Sequence, residues 1–171
     1  MEVKFVNYQR DYLRFAKEYD AAWYRVNLLG DLILRKDVEE FEQRLADYVG
    51  TRFAIAVSNG TDAIYLSLKA LGIKGGVAMP SHTFKSTCGA VINAGAKPHI
   101  FDLDNVIIES LINWKPGRID AYIPVHIAGE ISKIHNIGCP VIEDACQAFG
   151  AVKNPTTSAQ CWSFYPAKIL G

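Results

Sequence analysis

The stretch Pro140-Val141-Ile142-Glu143-Asp144 constrains the fold of this chain more than any other. Apolar positions run straight into two carboxylates, as in a buried parallel strand that ends at the carboxyl edge of a sheet. Open α/β folds place their ligands at that edge. Asp144 and Gln147 stand three apart, so both leave the edge in one direction if a turn or helix starts there. A carboxylate beside an amide can hold a heteroaromatic ring, one on a ring nitrogen and the other on a ring oxygen. Taken by itself, the stretch has a simpler reading, an aspartate that caps a following helix.

The rest of the chain repeats the same grammar. Phe53–Val57, Val77–Met79, His99–Phe101, Ala121–Val125 and Cys161–Tyr165 read as short strands, with Pro124 at a strand end. Helical spacing fills the gaps. Asp37-Val38-Glu39-Glu40 reads as a capping box, with Asp37 as N-cap, followed by Val38, Phe41, Leu45 and Tyr48 and a stop at Gly50. Ile64, Leu68 and Leu71 mark a second helix closed by Gly72, and residues 83–93 a third with Gly95 after it. Strands alternating with helices predict an α/β fold, a mostly parallel sheet with helices on both faces. Residues 1–21 form an N-terminal extension whose structure the sequence leaves open, although Val3, Phe5 and Tyr8 could line a short strand.

At 171 residues, the chain suits a single domain that buries roughly 70% of its unfolded surface. The formal net charge is zero and no basic patch is available to neutralise phosphates, so neither nucleic acid nor an anionic membrane is an expected partner. No apolar run suits a signal peptide or a bilayer span. Cys88, Cys139, Cys146 and Cys161 lack zinc-site spacing and read as reduced core thiols, which predicts a cytoplasmic protein without a metal.

Several segments reach the same sheet edge. Ser58-Asn59-Gly60-Thr61-Asp62 lies between a strand and a helix, where glycine permits a tight turn and the first amides face outward. It can take a phosphate, with Thr61 adding a hydroxyl, or serve as a plain Ser/Asn cap. It lacks the lysine of a P-loop and the spaced glycines of a dinucleotide fingerprint. Phe84, after Pro80-Ser81-His82-Thr83, can lie flat on a planar ligand or belong to the core. His126 stands after another strand, on a possible substrate side or in a structural role. Lys168, among Tyr165, Pro166, Ile169 and Leu170, is either a solvated tail residue or an amine whose pKa burial lowers towards Schiff-base chemistry.

The order Ser-x-Gly-Thr-Asp-Ala, Pro-x-x-Thr-Phe, Pro-Val-His, Glu-Asp-x-x-Gln and Ser-Phe-x-x-x-Lys resembles the DegT/DnrJ/EryC1/StrS family of pyridoxal-phosphate-dependent sugar aminotransferases, of aspartate aminotransferase fold type I. The resemblance covers about residues 22–171. It implies pyridoxal 5'-phosphate as cofactor, with Lys168 as the catalytic lysine that carries it and shuttles the proton. It also implies that Asp144 holds the pyridine nitrogen, Gln147 the ring hydroxyl oxygen and Phe84 the ring face, with Ser163, Thr61 and the backbone of Gly60–Asp62 on the phosphate. A keto-sugar nucleotide, an amino donor such as glutamate, and a homodimer or complementary chain are the implied partners. Lys168 argues against the sister group of dehydratases, which carries histidine there.

The chain departs from that pattern as well. Ala128 stands where the family often has Tyr, and the loops at 74–78, 105–118 and 151–158 are short. The resemblance covers a cofactor-binding large domain without the small domain that follows the lysine. A catalytically idle remnant or an interaction module of the same fold is therefore the alternative. The family's next strand would lie between Phe53–Val57 and Cys161–Tyr165. Direct closure of those two strands, or a strand supplied in trans, is expected in its place ahead of Glu2–Tyr8.

Overall fold

The computed structural model describes residues 6–30, 32–33, 35–102, 119–134 and 138–170. Its sheet is built around β1 (Gly76–Pro80), every residue of which is buried. On one side β1 pairs in parallel with β2 (Lys97–Phe101), and on the other with β3 (Ala121–Tyr122). β4 (Ile142–Asp144) pairs in parallel with β5 (Ala159–Cys161). Parallel bridges Tyr122↔Val141 and Val125↔Asp144 join the two groups, so the strands run β2-β1-β3-β4-β5. Pro124 has no N–H to give, which explains why this seam is a pair of bridges rather than a continuous ladder. The remaining bonds are Tyr122 N–H to Pro140 O (3.0 Å), Asp144 N–H to Pro124 O (2.9 Å) and His126 N–H to Asp144 O (3.0 Å).

The chain steps outward from β1 to β2 and then returns past β1 to β3. That reversal opens a crevice at the carboxyl ends of β1 and β3, the usual ligand position in such sheets. Two helices pack on the sheet. In α4 (Gly60–Ala70), Ile64 and Leu68 share one face and are fully buried. In α5 (Lys85–Asn93), Ala90 and Val91 do the same. They meet Val77, Met79, Ile123 and Ile142 in one core. α3 (Lys36–Val49) lies further out and ends at Gly50, whose left-handed φ of 82° lets its N–H reach Ala46 O at 2.8 Å.

The predicted class is correct, and several local expectations are not met. Helix α3 starts two residues earlier than the proposed capping box, with Arg35 in place of Asp37 as a cap that makes no side-chain bond. Asp37 is drawn instead into ion pairs with Arg25 (2.7 Å) and Arg35 (3.0 Å), and Glu40 pairs with Arg44. Tyr8 opens helix α1 (Tyr8–Arg14), not a strand, because Asn7 caps it by accepting from Arg10 N–H at 3.1 Å. Val3 and Phe5 lie outside the described residues, as does the whole of the short loop at 105–118. α2 (Ala16–Leu29) follows α1, and neither helix has a buried residue.

Phe53–Val57 joins no ladder among the described residues, and Phe53 and Ile55 are 70% and 78% exposed. β5 stops at Cys161, so Trp162–Tyr165 leave the sheet. The two segments expected to close on each other do not pair. Their apolar residues alternate like a strand, but alternation supplies no partner.

Candidate active site

Asp144, the last residue of β4, is 5% exposed and lies beneath the start of α5. The buried Thr87 hydroxyl donates to Asp144 Oδ2 at 2.7 Å. Thr83 and Thr87 hydroxyls stand 2.7 Å apart. Thr87 has one proton and gives it to the carboxylate, so Thr83 must donate to Thr87. On the other oxygen, Cys146 N–H donates to Asp144 Oδ1 at 3.2 Å. The predicted capping role is thus present in a local form, yet no helix starts here, only a turn. Thr83 and Thr87 were not singled out from the sequence. Their i, i+4 spacing just beyond Pro80 was the available signal.

The turn after β4 points Gln147 at a neighbouring loop, where its Oε1 accepts from Ala128 N–H at 3.0 Å. Ala128 holds a left-handed backbone (φ 53°, ψ 24°) within the 3-10 turn Ile127–Gly129, a conformation that costs energy for a residue with a Cβ.

The second group forms at the N-terminus of α4. Asn59 caps it by accepting from Asp62 N–H at 2.9 Å. The Asp62 carboxylate folds back on the same cap, accepting from Asn59 Nδ2 (2.9 Å) and from the Ser58 hydroxyl. Asp62 therefore completes the cap and its amide is taken. The amides of Gly60 and Thr61 precede the first intrahelical bond, Ala63 N–H to Asn59 O, and remain the helix's outward donors. Gly60 is pressed against the end of β4 and the segment after β5. A Cβ there would stand 2.7 Å from Cys146 Sγ, 3.3 Å from Ser163 Cβ and 3.4 Å from Trp162 O. The cap reading is thus realised in this turn, with the amides of Gly60 and Thr61 left beside it.

Lys168 sits half-buried in a turn, its N–H donating to Tyr165 O at 2.7 Å. Burial pushes the Cys146 thiol far above its ordinary pKa, and Asp144 pushes it further, while the Lys168 charge pulls the other way. Phe84 precedes α5 and is 62% exposed, so it is not a core residue.

His126 does not face this crevice, contrary to the substrate-side expectation. It is fully buried, and both ring nitrogens are taken. Nδ1 accepts from Ser132 N–H at 3.2 Å, so the ring proton is on Nε2, which donates to Glu143 Oε2 at 2.8 Å. Among the described residues no group of His, Cys, Asp and Glu is placed to hold a metal ion, and no helix is long and apolar enough to cross a membrane.

The sequence profile of the DegT/DnrJ/EryC1/StrS aminotransferase family matches residues 16–171. The chain belongs to this family. Family members depend on pyridoxal phosphate, and the fold is that of the fold type I enzymes. The chain is 35% identical to the UDP-2-acetamido-2-deoxy-3-oxo-D-glucuronate aminotransferase of Pseudomonas aeruginosa, covering 99% of this chain and 52% of that protein. It is 34% identical to the dTDP-3-amino-3,4,6-trideoxy-alpha-D-glucose transaminase of Streptomyces venezuelae, covering 99% and 49%. The solved S. venezuelae DesV superposes with a TM-score of 0.88 at 32% identity, over 99% of this chain and 50% of that one. The chain spans about half the length of the curated relatives it matches.

Proposed function

We propose that this chain is the cofactor-binding half of a pyridoxal-phosphate-dependent aminotransferase that delivers an amino group, with glutamate as donor, to a keto-sugar nucleotide. The observation that carries the reading is the convergence of two unlike groups on one sheet edge: the buried Asp144 carboxylate under Thr87, and the glycine-floored N-terminus of α4 against Cys146 and Ser163. These suit the two ends of one ligand, a basic ring nitrogen and a phosphate. The donor set fits the cofactor. Asp144 would hold the pyridine nitrogen, and Gln147 the ring hydroxyl oxygen. Gly60 and Thr61 amides with the Ser163 hydroxyl would hold the phosphate, and Phe84 would cover the ring. When bound, the cofactor supplies an electron sink for cleavage at the amino carbon.

The chain's own residues do the rest. Thr83 and Thr87 fix the carboxylate by a directed chain of hydroxyls, and Lys168 Nζ holds the cofactor and moves a proton. The sugar nucleotide's contacts come from further polypeptide, in a longer chain, a complementary chain or a second subunit. Free thiols at Cys88, Cys139, Cys146 and Cys161 support a cytoplasmic setting.

The test is to mix the purified chain with pyridoxal phosphate and follow the visible absorption band. Borohydride should fix the cofactor onto the peptide that contains Lys168, and Lys168→Ala should abolish the band. A chain that gives no band would be the idle remnant or interaction module. A band kept at full strength by Lys168→Ala would put the attachment on another lysine.

A further inference from the structure

We infer that His126 and Glu143 are a positioning pair, which from the far side of β4 sets the place of Asp144 and Gln147. The inference rests on the function proposed above for those two residues. Glu143 and Asp144 are consecutive on a strand, so their side chains leave opposite faces. Across the seam between β3 and β4, Pro124 interrupts the ladder, and Asp144 is held by the Val125↔Asp144 bridge, through its N–H to Pro124 O and its C=O from His126 N–H. His126 adds a side-chain tie to that bridge. Its N–H donates to Asp144 O at 3.0 Å, and its ring donates to Glu143 Oε2 at 2.8 Å. One residue therefore ties the β3 extension to β4 through backbone and side chain together.

The pair is built on every side. Glu143, fully buried, also accepts from the Thr157 hydroxyl and from Gln160 Nε2 at 2.9 Å. Gln160 in turn accepts from Trp162 Nε1 at 2.9 Å, next to Ser163. On the other side, Ser132 N–H holds His126 Nδ1, and the Ser132 hydroxyl donates to Val125 O at 2.6 Å. The strained turn that begins after His126 presents the Ala128 amide to Gln147. A shift of His126 thus moves both ring-side residues, while α4 and its N-terminus share no bond with it.

The experiment is amide hydrogen exchange on the full chain without cofactor, comparing wild type, His126→Phe and His126→Gln. Phe keeps bulk and loses both nitrogens, whereas Gln keeps a donor for Glu143. In His126→Phe, exchange at the Asp144 and Ala128 amides should rise roughly tenfold, the change expected for loss of one buried hydrogen bond. Amides of Leu68 in α4 should stay at wild-type rates, and His126→Gln should restore protection. A uniform rise, no rise, or failure of Gln to restore protection would overturn the pair's role. Nitrogen NMR of the wild-type ring reads the same geometry without any variant: a proton on Nε2 alone supports it, and one on Nδ1 overturns it. With pyridoxal phosphate added, His126→Phe should weaken the visible band's affinity by about tenfold and leave inorganic phosphate binding unchanged. Absence of a band in wild type would sink the proposed function, yet the exchange pattern would still decide the pair.

Discussion

Gly60→Ala tests whether the N-terminus of α4 is held against the ends of β4 and β5 as tightly as the structure shows. Alanine in a helix ordinarily gains about 0.5–1 kcal/mol over glycine, and less in the first turn. Here the added Cβ would lie 2.7 Å from Cys146 Sγ, 3.3 Å from Ser163 Cβ and 3.4 Å from Trp162 O. The thiol is a side-chain end and can turn aside. That thiol is itself packed against the site, Ser163 Cβ must give by a few tenths of an ångström, and Trp162 O is at ordinary contact. Overpacking of this kind costs about 1–3 kcal/mol, which outweighs the helix gain and leaves a net loss of about 1–2 kcal/mol. Urea denaturation reads it directly, and with a slope of about 1–3 kcal/mol per molar the midpoint should fall by roughly 0.3–2 M. In a Cys146→Ala background the same substitution should cost measurably less, since the nearest obstacle is gone. A stabilised Gly60→Ala, or strictly additive effects of the two changes, would show that Gly60 is not pressed against Cys146, and the phosphate cradle would lose its floor.

Thr87→Val keeps the shape of a buried side chain and removes the hydroxyl bonded to Asp144, so unfolding free energy should drop by about 1.5–3 kcal/mol; a drop under half a kcal/mol would mean the hydroxyl chain does not hold the carboxylate. Asp144→Asn should weaken pyridoxal phosphate binding by about 2–4 kcal/mol, measured from the visible band, and unchanged affinity would return Asp144 to a purely local cap. Burial alone would raise the Glu143 pKa, but bonds from His126, Thr157 and Gln160 hold it below the ordinary range. A carboxyl depressed on folding stabilises the protein above its unfolded pKa of about 4.3, and that contribution is lost as pH falls from there through the folded value. Glu143→Gln should therefore flatten the acid limb of a stability–pH curve, and an unchanged slope would exclude Glu143 as a source of acid sensitivity.

The sequence spelled out what local chemistry decides. Glycines at positions 50, 72 and 95 end their helices with positive φ, and an apolar run stopping at Asp144 did prove to be a strand end at the ligand edge. What it concealed depends on partners remote in the chain. Asp37 has the right spacing for a capping box, but two arginines outbid the backbone for its carboxylate. His126 reads as an edge residue because it follows a strand, yet Glu143 and Ser132 claim both its nitrogens. Thr87 carries no motif, and only the packing of α5 over β4 brings its hydroxyl to Asp144. Phe53–Val57 alternates as a strand should, and no periodicity could report that nothing described here pairs with it.

The burial of the site is uneven, and this decides which residues govern binding. Asp144 and Thr87 lie in the interior, where a charge-assisted bond is strong and water does not compete. The Gly60 floor is equally closed, with Ser163 and Cys146 packed onto it. Phe84, Tyr165, Ile169 and Leu170 stand largely in water. Stacking by an exposed ring recovers only part of the burial that a closed wall would give. Ring nitrogen and phosphate should therefore supply most of the affinity, with Phe84 adding less. Among the described residues, the backbone bond that holds the turn bearing Lys168 runs from its N–H to Tyr165 O. Under the proposed function, the cofactor's two polar ends would be held by buried groups, and the lysine by a turn at the surface.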